Sequence, residues 1–247
     1  MGDKKFRDSS GRSLDQYPQP SVAVDTALLT PDPDRGLMVL QVRRTNTTGW
    51  GVPGTFLHER ERLADAVRRS LSVKAGVDGV SPHQLEVFDE PDRDDRGWVL
   101  SVAHWAVVPA AALAERLPSE TRLMPVDNPG RLIYDHRLII AAAVDHIRSC
   151  YASAPDPERL LGETFTVREL RLLHQLIAGR PLDRDWFRRE MEGSLEPTGE
   201  LSVGTRGRPA EVFKRHPVAR AYSRDPRLAD QPCTTELGGG SSCLVRI

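Results

Sequence analysis

Residues 50–77 constrain this chain more than any other stretch. Trp50, Gly51, Val52, Pro53 and Gly54 make a small, apolar loop, and Glu59, Arg60 and Glu61 make a charged link. Leu63, Ala66, Val67, Ser70 and Leu71 then fall at helical spacing, and Gly76 supplies a stop. A plain amphipathic surface helix would carry the same stripe, so the helix alone does not decide what the segment does.

The residues around that helix do more. The segment resembles the Nudix box, a glycine-led loop and helix in which one loop glutamate, and three more around a helical arginine, gather Mg²⁺ and activate a water against a nucleoside diphosphate. On this chain the opening glycine of the box falls on Thr55, with Gly54 just before it. The loop glutamate falls on Glu61, the arginine on Arg69, and the closing pair on Gly76 and Val77. The remaining acidic positions are Ser70, Val73 and Lys74. Mg²⁺ takes hard oxygen ligands and must be held beside the reacting phosphoryl group. A hydroxyl, an isopropyl group and an ammonium do not replace three carboxylates. The resemblance therefore implies a Nudix fold with no metal site and no cofactor, retaining only Glu61 as a remnant, in which the pocket can still bind.

At 247 residues the chain is long enough for two domains, and 39% hydrophobic with 28% charged residues describes a globular protein. No apolar run approaches the roughly 20 residues of a membrane helix, and residues 1–10 lack the apolar core of a signal peptide. Cys150, Cys233 and Cys243 are too scattered for a disulfide framework or a metal knuckle, so a reducing cytoplasm is expected. The net charge of −1 does not by itself attract nucleic acid, so DNA binding has to rest on local clusters. Lysine occurs only at Lys4, Lys5, Lys74 and Lys214, and in so arginine-biased a chain an arginine cluster counts for less.

In chain order, residues 1–18 read as a polar, flexible arm. Residues 21–30 and 37–42 read as strands joined by a Pro- and Asp-rich turn ending at Gly36. Arg43 and Arg44 close the second strand, and the Nudix resemblance makes one or the other a phosphate contact, a solvated strand end being the alternative. Trp50 either stacks on an adenine or joins the core beside Val52 and Phe56. With Arg43, Arg44 and Trp50, the loop residues Val52, Pro53, Gly54, Thr55 and Phe56 form the expected effector pocket. Strands at 85–89, 98–108 and 121–125 follow, with a short helix at 110–117. A helix capped by Asp135 then runs through Ala152, with Leu138, Ile139, Ala142, Val144 and Ile147 inward. That order fits an α/β class chain with a Nudix-like α/β/α sandwich over residues 19–152.

A linker rich in Ala, Ser and Pro is expected at 151–157, before a second unit at 158–216. Thr166 and Glu169 form a capping box for a helix carrying Leu170, Leu173 and Ile177. Gly179 and Pro181 make a turn, and Asp183 caps a second helix to about Met191. Trp186, Phe187 and Met191 lie on its apolar face, with Arg184, Arg188 and Arg189 on the others. Two short helices around a tight glycine turn are the signature of a helix-turn-helix. Asp185, Glu190 and Glu192 could balance those arginines as an ordinary solvated face. Strands at 195–197 and 207–215 would make a wing, with Arg206, Gly207, Arg208 and Pro209 resembling the core of an AT-hook. The expected DNA contacts are Thr166 and Arg168 at the first helix start, Arg184, Arg188 and Arg189 on the second, and Arg206, Arg208 and Lys214 in the wing. Residues 217–247, rich in Pro and Gly, read as a disordered tail.

A degenerate Nudix domain followed by a C-terminal winged helix-turn-helix domain resembles the NrtR family, the Nudix-related transcriptional regulators of NAD metabolism. The resemblance spans roughly residues 19–216. It implies a cytoplasmic, nucleoid-associated homodimer and not an enzyme: a repressor of NAD biosynthesis or salvage genes, bound to double-stranded operator DNA and released by an ADP-ribose-like nucleotide. Two other readings stay open. One is a Mg²⁺-dependent pyrophosphatase of the ADP-ribose type, using Glu59 and Glu61 with help from Glu86 or Glu90. The other is a ligand-binding adaptor whose winged helix contacts protein.

Overall fold

The computed structural model describes residues 7–44, 49–113, 117–202 and 209–216. The chain opens with β1 (Ser21–Asp32), β2 (Gly36–Arg43), β3 (Trp50–Gly51) and β4 (Gly54–Phe56), then α1 (Leu63–Ala75). Next come β5 (His83–Phe88), β6 (Val99–Val107), β7 (Thr121–Pro125) and α2 (His136–Ser153). The last third is β8 (Thr164–Thr166), α3 (Val167–Ala178), α4 (Arg184–Glu192), β9 (Leu195–Leu201) and β10 (Glu211–Arg215). No helix among the described residues is long and apolar enough to cross a membrane.

β1 is the spine of a seven-stranded mixed sheet. It pairs in parallel with β6 from Ser21 opposite Val99 to Leu29 opposite Val107. Antiparallel pairing with β4 uses its first half and with β2 its second. Side chains alternate across a strand, so one strand feeds two cores. Val24 and Leu28 face α1 and pack on Ala66, Val67 and Leu71. Ala27 and Leu29 face the other way, onto Ile139, Ile140, Ala143 and Ile147 of α2. This is the expected α/β/α sandwich, and each fully buried large aliphatic side chain in it contributes about 1.5–3 kcal/mol. α1 ends at Gly76, whose φ of 64° is left-handed.

Several expectations need correction. Asp135 holds the N-cap position of α2 but makes no side-chain cap bond, because both its oxygens accept from Arg93 at 2.5 and 2.7 Å. Leu138 is 60% exposed, and Ile140 and Ala143 are buried in its stead. What is described of the expected helix at 110–117 is a single 3₁₀ turn, Ala110–Ala112. β9 continues to Leu201, four residues past the strand end expected at 197, and β8 adds an unforeseen third strand in the order β8-β10-β9. Trp186 is 45% exposed, leaving Phe187 and Met191 as the buried residues of α4.

The largest correction concerns the linker expected at 151–157. α2 runs on to Ser153, Tyr151 is buried, and Asp156 has no exposed surface at all. The Asp156 carboxylate accepts from the backbone N–H of Leu160 (2.9 Å) and Leu161 (2.8 Å) and from the Tyr151 hydroxyl (2.8 Å). It also pairs with the guanidinium of Arg215 on β10. Arg215 lies over the Phe165 ring at 4.8 Å and donates to the Gly162 carbonyl at 3.0 Å. α3 meets this knot with two faces. Leu170 packs with Phe165, Phe187 and Met191, while Leu173 and Ile177 enter the α2 core. Between them His174 sits edge-on to Tyr151 and Phe187, and its Nε2 accepts from the Asp156 N–H at 3.4 Å.

That acceptor role requires a neutral ring, and burial pushes the His174 pKa down to about 4 from 6.5. The unfolded chain therefore takes up a proton that the folded one refuses. The stability contribution is complete above pH 6.5 and is lost as pH falls towards 4, at about 1.4 kcal/mol per pH unit. Urea unfolding midpoints should thus fall between neutral pH and about pH 5 by the equivalent of ~2 kcal/mol. His174→Gln should reduce this slope by the part His174 contributes, leaving that of the other buried histidines. Asp156→Ala, which strands a buried guanidinium, should destabilise the protein by about 3–5 kcal/mol at neutral pH.

Candidate functional site

A cleft of about 410 Å³ opens where the start of α2 meets β1 and β4. Its floor depends on two close approaches. A Cβ on Gly51 would lie 2.4 Å from Nδ1 of His136, and one on Gly54 would lie 1.8 Å from Oδ1 of Asp25. Only glycine lets the loop backbone pass so near these buried side chains. His136 Nδ1 accepts from the Val52 N–H at 3.0 Å, which leaves the ring proton on Nε2, 3.6 Å from Asp25 Oδ1. Burial lowers the His136 pKa, so the ring is neutral. Asp25 Oδ2 accepts from the Ser101 hydroxyl at 2.7 Å, and Arg93 lies 3.6 Å away.

The walls are cationic. Arg44, Lys74, Arg93 and Arg96 line the cleft against the carboxylates of Asp25 and Asp94. Arg93 is held by Asp135, and Arg96 by Asp94 at 2.6 and 2.8 Å. Arg96 is also sandwiched between the rings of Phe56 (4.9 Å) and Tyr134 (5.1 Å). Tyr134 itself has φ +50°, an uncommon conformation for a bulky residue. Arg44 and Lys74 are the unbalanced charges. Neither has a carboxylate within ion-pair distance among the described residues. Arg44 Nε is buried with no hydrogen-bond partner there, a state that costs about 1–3 kcal/mol until something accepts from it. The Lys74 ammonium donates to the Gly54 carbonyl, and burial, reinforced by Arg44, pushes its pKa down to about 8.

A nucleotide pocket in a Nudix fold implies Mg²⁺, and the residues present do not fit that ion. Glu61 has both oxygens taken by Arg69 (2.7 and 2.8 Å) and also accepts the His58 N–H. The hydrogen bonds from Arg69 hold its pKa down at about 2. Arg69 reaches on to Thr55 Oγ1 and the Phe56 carbonyl. The two surviving charged members of the box thus staple the loop to the helix. Ser70 is buried, Val73 is 77% exposed, and Lys74 puts an ammonium in the cleft. Glu59, Glu86 and Glu90 are exposed and do not line it. No group of three or more His, Cys, Asp or Glu among the described residues could hold a metal ion.

Of the residues expected to bind an effector, Arg44, Thr55 and Phe56 line the cleft. Arg43 points the opposite way, as alternate strand residues must, and is exposed near Glu120 at 3.8 Å. Trp50 lies under the Arg122 guanidinium at 4.1 Å and is not part of the lining. Val52 and Pro53 are buried, and Gly54 contributes its carbonyl. Asp25, Arg93, Asp94, Arg96, Tyr134 and His136 were not foreseen. Two signals were present: a lone acid inside the apolar strand 22–29, and dense charge between two strands at 93–96.

At the other end, Thr166 caps α3 with its hydroxyl on Glu169, closing the capping box, and Arg168 is exposed beside it. Asp183 caps α4 through the N–H groups of Asp185 and Trp186. Arg184 and Arg188 are exposed one helical turn apart, and Arg189 reaches the Asp185 carbonyl at 3.3 Å. Lys214 pairs with its cross-strand neighbour Glu196 at 3.0 Å. Arg206 and Arg208 lie outside the described residues.

Comparison with known proteins adds to this geometry. Residues 157–214 match the family model of the NrtR DNA-binding winged helix domain. The chain is 27% identical over 209 residues, 80% of its own length and 83% of the relative's, to the ADPR responsive transcriptional repressor NtrR of Acinetobacter baylyi. It is 30% identical over 128 residues, 50% of its length and 73% of the relative's, to an ADP-ribose pyrophosphatase of Methanocaldococcus jannaschii. Among solved structures, Shewanella oneidensis NrtR complexed with a 27mer DNA is similar with a TM-score of 0.69 and 30% identity, over 81% of this chain and 96% of that one.

The glycine loop offers a direct check of the cleft. Gly54→Ala forces a Cβ to within 2.9 Å of the Val24 carbonyl as well as onto Asp25, and backbone cannot yield as a side chain can. A loss of about 1–3 kcal/mol is expected in thermal or urea unfolding.

Proposed function

Because the chain belongs to the NrtR family, we propose that it is a transcriptional repressor that holds operator DNA with its winged helix and releases it when ADP-ribose enters the cationic cleft. Its target genes are those of NAD biosynthesis or salvage. The working unit is a homodimer, whose two recognition helices read a palindrome with half-sites roughly 34–36 Å apart, or a multiple of that.

One observation carries this reading. α2 begins in the cleft, at His136, and ends in the buried knot around Asp156 that holds α3 and β10. Cleft and winged helix therefore share a single rigid element. A ligand that fits the cleft better when the dimer is free than when it is on DNA must weaken DNA binding by the same factor that DNA weakens ligand binding. On the DNA side, Arg184 and Arg188 project from α4 for the major groove. Arg168, Arg189 and the wing arginines Arg206 and Arg208 serve the phosphates. Thr166 and Lys214 contribute less, being engaged within the protein.

The same chemistry argues against hydrolysis. With Ser70, Val73 and Lys74 at the acidic positions and Glu61 tied to Arg69, the box itself offers no carboxylate set to activate water. The effector thus persists long enough to be sensed.

The test is a titration of the protein against its own upstream DNA at fixed salt, with and without ADP-ribose, with AMP assayed in the same samples. ADP-ribose should raise the DNA Kd by roughly 5- to 150-fold with no AMP released. Arg188→Ala should weaken DNA binding and reduce the salt slope by about one. Mg²⁺-dependent AMP release without DNA binding would replace this reading with that of a pyrophosphatase.

A further inference from the structure

The poor fit of the cleft to a divalent ion has a positive side. We infer that Lys74 and Arg44 do the work of that ion, so that the diphosphate of the effector is neutralised by the protein's own cations and binding needs no metal. This rests on the cleft being the effector site.

The two side chains come from different elements, Arg44 from the end of β2 and Lys74 from the last turn of α1, and both line the cleft. They are its two cations without a carboxylate partner among the described residues, whereas Arg93 and Arg96 are committed to Asp135 and Asp94. Together they carry the formal charge of one divalent ion. Their donors are also available. An ammonium has three N–H groups, and the Gly54 carbonyl takes one. Arg44 Nε is buried without a partner, and the Arg44 guanidinium lies 5.9 Å from the Tyr134 ring centroid, which helps hold its position. A diphosphate placed between them accepts from both in a partly dry setting, where charge-assisted hydrogen bonds are strongest.

The substitution also explains why binding and hydrolysis separate. A divalent ion both neutralises phosphate oxygens and lowers the pKa of a bound water. A protonated lysine does the first and not the second. Its position on the Gly54 carbonyl places it on the glycine loop itself, beside Thr55 and above Asp25 in the same cleft. Lys74 is thus the specificity residue for a metal-free diphosphate.

Calorimetric titration of ADP-ribose into the intact chain, in EDTA and then in Mg²⁺, tests this. The wild-type Kd should be the same in both buffers within about twofold. Lys74→Gln and Arg44→Gln should each weaken binding by roughly 10- to 100-fold. Lys74→Arg, which keeps the charge, should recover most of that loss and controls for folding, together with a thermal melt. Lys74→Glu should bind poorly in EDTA and be strengthened by Mg²⁺. Wild-type binding that requires Mg²⁺, or a folded Lys74→Gln with unchanged affinity, overturns the inference and leaves the repressor reading standing. No binding in either buffer overturns both.

Discussion

A carboxylate with no access to water, that of Asp156, decides how the two halves of this protein stand together. Burying a charge costs several kcal/mol unless every lone pair is used, and here two backbone N–H groups, a tyrosine hydroxyl and a guanidinium use them. These partners come from α2, from the turn after it and from β10. None can leave without stranding the charge. The stretch that composition marks as a spacer is therefore a joint, and α3, shared between the core on α2 and the core of the winged helix, is clamped by it.

The cleft and that joint are connected by α2. α2 has 18 residues, so it spans about 27 Å. His136 and the knot around Tyr151 sit at its two ends. The path from cleft to winged helix therefore runs along a helix axis rather than through an extended tether. That arrangement suits a sensor, whose two sites must share one set of conformations.

The Nudix scaffold is kept here around an altered box. Gly51 and Gly54 still bring the loop close to His136 and Asp25, and Glu61 still meets Arg69. At one of the box's acidic positions the charge facing the cleft is positive. Where carboxylates would hold a metal, Lys74 presents an ammonium, and Glu61 has become part of the loop's own stitching.

Local signals were legible because their causes lie within a few residues. Thr166 and Glu169, Asp183, Gly76 and Gly179 announce helix ends that the structure shows at those positions, since capping acts over one turn. Short apolar runs announced β1, β2 and β6 for a similar reason. The cleft was only half legible. Arg44 and Thr55 follow from the motif, but Asp25, Arg93, and Tyr134 with His136 come from three separate segments. The choice between Arg43 and Arg44 waited on which side of the strand faced inward. Amino-acid order alone marked most of the elements, several of their caps, the altered acidic positions of the box and the family likeness. Only tertiary packing decided that Val52 would meet His136, 84 residues away, and that Asp156 would meet Arg215, 59 residues away. Such pairings depend on which buried charge finds a partner once the chain has closed, and no local pattern encodes that.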